Sequence, residues 1–386
     1  MDRPELMIHI LDDFNDDNIL TTLQYKPRKV VFLRDNTKEL LEVFRDVKEF
    51  LRNRISGLIV EDLTYNDECY KSIIDVIDSV VDKKPIIHLS EVDEPLAVVM
   101  LAHRAWKNGL KLLVSNYTNE KIYELLPDGT CIENETELNL SINDLIEFSG
   151  GKIVTDASID LNKDIYFEYV DWIAANFRKY NKIKYIFRNP HRVSSNMSHP
   201  LDVNINLYGL DQMEVSMVYE HLQLFKKNNW ITILKDNKGV GIELRAKNDQ
   251  IKSLVICGGL WLELLTYKVI KEANLADDLK IGVRFIWNTE MDLVENELDI
   301  LFTVDNRLFC ISCKDTPNYE SAQLNELQVY AEQIGGEDAV KALVTTREPR
   351  KATTINRADE MDIDIITFDG NVDKFQKAIK DFIESV

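Results

Sequence analysis

The sequence predicts an α/β protein with a parallel, Rossmann-like N-terminal sheet, a winged-helix-like middle and a C-terminal domain of a small sheet with helices. Three observations predict it. Over residues 1–150, short apolar runs alternate with amphipathic segments, which is βαβ order. Between about 150 and 250, an amphipathic stretch precedes two apolar runs joined by Asp236-Asn237-Lys238-Gly239, a hairpin turn signal. From about 251 to 386, the pattern reads helix, strand, strand, helix, strand, helix, strand, helix. A chain of 386 residues has room for two or three such domains.

In the first domain, Leu6–Leu11, Lys29–Leu33, Gly57–Val60, Pro85–Leu89 and Leu110–Val114 read as buried strands. Lys38–Asn53 and Asn66–Val81 read as helices between them, and a further helix runs through Trp106. Ligands on such sheets sit at the carboxyl ends of the strands. Here those ends are Asp12-Asp13-Phe14-Asn15-Asp16-Asp17-Asn18 after the first strand and Leu89-Ser90-Glu91-Val92-Asp93-Glu94-Pro95 after the fourth. The absence of a GxGxxG pattern argues against a dinucleotide coenzyme.

Gly150-Gly151 marks the next boundary. Tyr166–Tyr180 reads as an aromatic-rich helix. The run from Arg178 to Arg188 interleaves basic and aromatic residues, a composition suited to phosphate contact and base stacking. Read without a ligand, the same run is a helix end followed by a strand with solvated lysines. Glu214–Lys227 is amphipathic, and Trp230–Leu234 and Val240–Leu244 flank the turn, which completes the winged-helix pattern. In an acidic chain such a piece serves as an interdomain spacer more often than as a DNA reader.

The net charge is -20, which excludes a protein that coats nucleic acid through a basic surface. It leaves room for an enzyme that brings phosphate in with metal ions and a local basic groove, and predicts weak, salt-sensitive substrate binding. Five cysteines, an odd number, predict no disulfide framework and fit a reducing cytoplasm. Cys310 and Cys313 form a CxxC without a second ligand pair and are expected to be structural thiols. No apolar run is long enough for a bilayer span, and Met1–Glu5 does not begin a signal peptide.

The chemistry gathers in the last domain. Glu297-Leu298-Asp299-Ile300 opens one apolar run, and Cys310-Ile311-Ser312-Cys313-Lys314 closes the next after a turn at Asp305-Asn306-Arg307. A hairpin register sets Asp299 and Lys314 at neighbouring positions. Gly258-Gly259-Leu260-Trp261-Leu262-Glu263 opens a helix and adds a second carboxylate. Carboxylates beside a lysine on a small sheet suit a metal-dependent phosphodiesterase, with Asp299 and Glu263 holding Mn or Mg and Lys314 serving the attacking water or the phosphate. Arg347, Arg350, Lys351 and Arg357 form the best local basic patch for substrate phosphate. Without that chemistry, the same residues are a buried hairpin and a helix start whose charges are solvated.

This set resembles the PD-(D/E)xK nuclease superfamily, of the restriction-endonuclease-like fold, with one departure. The superfamily carries an acid two residues before the lysine, where this chain has Ser312. Either Glu263 and a downstream helical acid such as Glu326 complete the metal site, or the site is weakened. Taken whole, the domain order resembles the ancillary nucleases of type III CRISPR systems that carry a CARF sensor domain, over nearly the full chain. The resemblance implies a CARF sensor at 1–150, a linker or winged-helix-like region at 151–250 and a nuclease at 251–386. It also implies a homodimer that binds a cyclic oligoadenylate, most often the tetra-adenylate, and then cleaves RNA, DNA or both. The ligand would contact Asp12, Asp13, Phe14, Asn15, Asn18, Leu89, Ser90, Glu91, Val92 and Asp93. Family sensors often have a Thr-Gly-Gly-Thr-Lys-like loop after the fourth strand. This chain keeps only a serine hydroxyl there and puts Glu91, Asp93 and Glu94 in place of glycines and lysine.

Two rivals remain open at the level of sequence. One is a sensor that degrades its own ligand, although the first-domain loops offer no obvious catalytic pair. The other is a non-catalytic nucleotide-sensing regulator whose winged helix binds DNA and whose nuclease site has decayed, which Ser312 keeps alive.

Overall fold

The computed structural model describes residues 3–66, 69–89, 95–116, 121–135, 138–196, 198–287, 295–316, 321–349 and 351–385. The chain opens with β1 (Leu6–Ile10), α1 (Asp16–Tyr25), β2 (Lys29–Asp35), α2 (Lys38–Arg54), β3 (Ile59–Tyr65), α3 (Tyr70–Val81), β4 (Ile86–Leu89), α4 (Pro95–Lys107) and β5 (Leu112–Asn116). It continues through β6 (Lys121–Leu125), β7 (Cys131–Glu135) and α5 (Ile142–Phe148). The strands form one sheet in the order β3-β2-β1-β4-β5-β6-β7. β1 to β5 pair in parallel, and β6 and β7 extend the sheet antiparallel. Connections run outward in opposite directions from β1 and β4, which makes the crevice between them the switch point where ligands of such sheets bind.

The middle comprises β8 (Gly151–Asp156), α6 (Ser158–Leu161), α7 (Asp164–Ala175), α8 (Phe177–Phe187), β9 (Val193–Asn196), β10 (His199–Asn206), α9 (Gln212–Lys227), β11 (Ile231–Asn237), β12 (Gly241–Ala246) and α10 (Asp249–Val255). Four of these strands form an antiparallel sheet, β11-β12-β10-β9. Two expectations need correction here. The aromatic helix is two helices, because Asn176 leaves helical geometry and caps both α7 and α8. The stretch Arg178–Phe187 is helical, with no strand. Tyr180, Ile183 and Phe187 recur at helical spacing and are buried, and that period prevails over the short basic–apolar alternation around Lys184.

The last part holds α11 (Leu260–Ala273), β13 (Asp278–Trp287), β14 (Asn296–Val304), β15 (Arg307–Lys314), α12 (Ser321–Gly335), β16 (Val340–Thr345), α13 (Ala352–Glu360), β17 (Ile363–Thr367) and α14 (Val372–Glu384). Its sheet runs β17-β16-β15-β14-β13-β8. The strands from β8 to β15 pair antiparallel, and β15, β16 and β17 pair in parallel. β13 is a strand that the element count from sequence omits, and β8 crosses back from the middle stretch to cover the sheet edge.

The bodies are packed as one. A single buried cluster joins Phe32, Phe44 and Phe50 of the first sheet side, Ile142, Leu145 and Phe148 of α5, and Leu298, Leu301, Leu308 and Leu324 of the last domain. Among the described residues no single helix is long and apolar enough to cross a membrane, and the bent pair α10–α11 has its apolar residues buried in the core.

Candidate functional site

The hairpin β14–β15 turns on Asp305 and Asn306, both with positive φ (49° and 63°). That is the two-residue turn whose twist matches the flanking strands. The ladder pairs Ile300 with Ile311, so its continuation sets Asp299 opposite Ser312, with Lys314 one diagonal step away on the same face. The expected neighbour relation is therefore diagonal rather than direct. Asp299 Oδ2 accepts the Cys313 backbone N–H at 2.7 Å, the Ser312 hydroxyl at 3.1 Å and the Lys314 ammonium at 3.4 Å.

Glu263 comes from the other side, in the first turn of α11. Gly258 lets the chain turn from α10 into α11, since a Cβ there would run into Ser253, its backbone O at 2.9 Å included. The Glu263 carboxylate folds back beside the helix start, with Oε1 3.8 Å from the position of a Cβ on Gly259. Burial first, then the charges of Asp299 and Glu297, push its pKa up to about 8 against the pull of Lys314. For Lys314, burial works against the ammonium, but Asp299 and Glu263 more than offset it and hold its pKa above the ordinary lysine value. Lys314 is thus a standing positive charge.

Among the described residues, no group of three His, Cys, Asp or Glu is gathered closely enough to chelate an ion. Two carboxylates still fit a divalent ion by their chemistry. Asp299 Oδ1 carries no hydrogen bond among the described residues, and Glu263 is buried with the charges of Asp299 and Glu297 acting on it, a setting that a dication would relieve. Ser312 is buried and spends its hydroxyl on Asp299. Glu326 lies exposed on α12 and meets neither Asp299 nor Glu263 in the described contacts. Cys310 and Cys313 are both buried free thiols, pushed above the usual thiol range by burial.

The basic residues divide. Arg347 joins α8 rather than its own neighbours, lining a pocket with Lys184 and Arg188. Arg357 turns to Glu360 and Asn325, and Lys351 is an exposed residue at the start of α13. Arg350 lies outside the described residues.

A residue the sequence reading passed over organises this region. Asp315, directly after Lys314, is fully buried. It accepts Lys184 at 2.6 Å, Arg188 at 3.0 Å, the Trp261 indole N–H at 2.8 Å and the Thr346 hydroxyl at 2.9 Å. The available signal was the i, i+4 spacing of Lys184 and Arg188 on one helix.

On the first sheet, Asn15 and Asn18 are buried bracing groups. Asn15 Nδ2 donates to the Asp12 carbonyl at 2.5 Å, and Asn18 Nδ2 donates to the Ile10 carbonyl and to Asn15 Oδ1, both at 2.8 Å. Asp13 is exposed and Asp12 half-buried. Phe14 packs away from the crevice, with ring atoms within 2.7–3.2 Å of where a Gly336 Cβ would stand. Burial first, and the charge of Asp338 beyond α12, push Asp16 up to about 6. The loop after β1 therefore rests on the last domain. Leu89 is half-buried at the end of β4, while Ser90, Glu91, Val92 and Asp93 lie outside the described residues.

Beneath the crevice, the Nδ1 atoms of His9 on β1 and His88 on β4 are hydrogen-bonded to each other at 2.9 Å. Thr22 meets His9 at 2.9 Å, and Ser115 and Asn18 meet His88 at 2.7 and 3.1 Å. Burial drives His9 down to about 3 and His88 well below the ordinary histidine value, so both rings are neutral.

With this geometry in hand, the comparisons with known proteins are specific. Residues 249–386 match the family described as Card1-like, endonuclease domain. No curated protein sequence matches the chain. Among solved structures, protein VC1899 from Vibrio cholerae superposes with a TM-score of 0.75 at 16% identity, over 98% of both chains. Can2 from Sulfobacillus thermosulfidooxidans, in complex with cyclic tetra-adenylate, gives a TM-score of 0.70 at 15% identity, over 99% of this chain and 98% of that one. A type III CRISPR defence DNA nuclease activated by cyclic oligoadenylate gives 0.50 at 14%, over 92% of this chain and 48% of that one. Residues 249–386 are thus similar to a Card1-like endonuclease domain, and the whole chain shares the fold of VC1899 and Can2, a Rossmann-like sheet ahead of the sheet that carries Asp299 and Lys314.

Proposed function

We propose that this protein is a metal-dependent nuclease of type III CRISPR defence, switched on by a cyclic oligoadenylate and working as a homodimer. The observation that carries the reading is the meeting of Asp299, Lys314 and Glu263 at one end of the hairpin inside a Card1-like endonuclease domain. Asp299 and Glu263 would hold Mn or Mg. The ion supplies Lewis-acid polarisation of the scissile phosphate and a more acidic water. Lys314, kept charged by its neighbours, steadies the charge that grows on the phosphate oxygens rather than accepting a proton. Arg347 beside α8, and Lys351 and Arg357 at α13, would offer positive charge to the substrate backbone.

The regulatory half of the proposal rests on the fold. The crevice between β1 and β4 is the switch point, and a structural neighbour with this fold is the one complexed with cyclic tetra-adenylate. A dimer is supported by α4, where Leu96, Val99, His103 and Trp106 form an exposed stripe on one face, Val99 at 62% and Trp106 at 54%. A second reading, a regulator whose nuclease site has decayed, draws on Ser312 standing where the superfamily has an acid.

Cleavage of plasmid DNA and of RNA, with Mn, Mg or EDTA and a panel of cyclic tri-, tetra- and hexa-adenylate, separates the two. The expected result is metal-dependent cleavage raised by one of the three ligands. Asp299→Ala and Lys314→Ala should each abolish it with folding intact, and Glu263→Gln should weaken it at least about tenfold, roughly 1.4 kcal/mol. Near-wild-type cutting by the Asp299 or Lys314 variant removes the assignment. No binding tighter than about 10 μM by any of the three ligands removes the sensor reading.

A further inference from the structure

Asp299, Lys314 and Glu263 stand on two separate stretches of chain, and the carboxylates of Asp299 and Glu263 repel each other. Asp299 is tied to β15 by its three donors. Glu263 feels Asp299 and Lys314 as charges, with no hydrogen bond to either among the described residues. What holds the start of α11 against the end of β15 therefore lies outside the trio.

Arg188 of α8 is placed to do this. Its Nη1 donates to the Asp315 carbonyl at 2.6 Å and its Nη2 to Asp315 Oδ2 at 3.0 Å. Its Nε donates to the Cys257 carbonyl at 3.0 Å. Asp315 is the residue after Lys314. Cys257 lies in the turn between α10 and α11, where its φ of 56° puts the chain in the left-handed region. One guanidinium thus grips both the strand end that carries Lys314 and the turn that leads into the helix of Glu263. Its planar fork suits a grip on three oxygens at once.

Trp261 adds a second tie between the same two stretches. Its indole N–H donates to Asp315 Oδ2 at 2.8 Å, two residues before Glu263. The ring is fully buried, with Tyr180 at 5.3 Å and Phe177 and Phe368 at 6.0 Å between centroids. Lys184 and Thr346 take the other Asp315 oxygen at 2.6 and 2.9 Å. With four donors on a fully buried carboxylate, Asp315 is spent on the protein itself and serves alignment rather than a ligand.

We propose that Arg188 and Asp315 are positioning residues of the nuclease centre, which clamp the residue after Lys314 to the turn before α11 and so set Glu263 at its working distance from Asp299. The proposal rests on the nuclease reading above. It gives the middle segment a part in the chemistry, because the clamp comes from α8.

The test reads metal binding and cleavage separately in the full chain. Mn binding is followed by the electron paramagnetic resonance signal of the free ion, counting only the binding that Asp299→Ala loses. Cleavage is measured at saturating Mn and expressed per folded molecule, with the folded fraction taken from the melting curve. Arg188→Lys keeps the charge, but one ammonium cannot span the three oxygens that the fork reaches. It should raise the Mn Kd at least about fivefold and lower cleavage at least about tenfold, since a displacement of about 1 Å can cost about 100-fold. Asp202→Asn is the control. It breaks the ion pair of a buried carboxylate with Arg245 in the middle sheet, and should keep the wild-type Mn affinity and rate per folded molecule. If Arg188→Lys does not fold, Trp261→Phe, which keeps both charges and a buried ring, is read in the same way with the same expected losses. Wild-type values in the variant that folds, or equal losses in Asp202→Asn, overturn the proposal. A wild-type protein that neither binds Mn through Asp299 nor cuts removes the nuclease reading and the positioning role with it. One that does both, while Arg188→Lys matches it, removes the positioning role alone.

Discussion

Asp299 is held on one oxygen by three donors from the next strand, so its second oxygen is aimed before any ligand arrives. Ser312 takes part in that aiming, which gives it a positioning role where the superfamily would place a metal-holding acid. The histidine pair has a different consequence. His9 and His88 are neutral when folded, with their pKa values driven below the ordinary histidine value of 6.5 by burial. The unfolded chain therefore binds more protons between about pH 6.5 and the depressed folded values. Stability rises with pH across that window and is lost as pH falls through it. Each imbalanced ring contributes about 1.4 kcal/mol per pH unit to the slope. Glu263 and Asp16, whose pKa values are raised on folding, act in the opposite sense over the same window, so we expect the test in the difference: chemical denaturation between pH 6.5 and 5 should show a slope that His9→Gln lowers by about one proton relative to wild type. An unchanged slope would mean that the pair is not buried as a neutral unit.

At the scale of elements, α11 is the part on which the carboxylates depend. Its start is fixed by Gly258 against Ser253, and any side chain there must push the helix away. Gly258→Ala should cost about 1–3 kcal/mol in stability. It should also displace Glu263, so cleavage should fall by more than the loss of folded protein explains. Comparing activity per folded molecule, from the melting curve and the cleavage rate of one sample, checks this. The element scale also shows how far the sequence could be read. The five parallel strands of the first sheet and the hairpin with Asp299 and Lys314 were legible because apolar period and turn residues act locally, whereas the antiparallel β6 and β7 were not read. The β13 strand escaped because its pattern is only half buried, and β8 because its partner lies more than a hundred residues away. Asp315 escaped for the same reason: its four donors come from α8, α11 and the end of β16, and only the fold brings them together. The break at Asn176 and the helical run after it turned on a choice between two periods that the local sequence satisfies equally.

For the whole molecule, the exposed stripe on α4 and the crevice of the first sheet belong to one proposed two-fold assembly. Val99→Lys should shift the protein toward monomer in sedimentation at micromolar concentration, and should lower ligand-stimulated cleavage while leaving the melting temperature near that of wild type. A variant that remains a dimer would place the interface elsewhere. The last consequence comes from the buried cluster that runs from Phe32 through Phe148 to Leu301 and Leu308. The Asn306 turn is bonded to the Leu140 N–H at 2.8 Å and the Leu138 carbonyl at 3.0 Å, and Phe14 rests on Gly336. The two ends of this protein therefore share an interior, unlike modules strung on a linker. A chimera that grafts this first domain onto another effector must carry α5, β8 and the face of α12 with it, or leave a wound of leucine and phenylalanine in water. Exchange of parts between such proteins, in a laboratory or in a genome, is constrained to cuts that respect that seam.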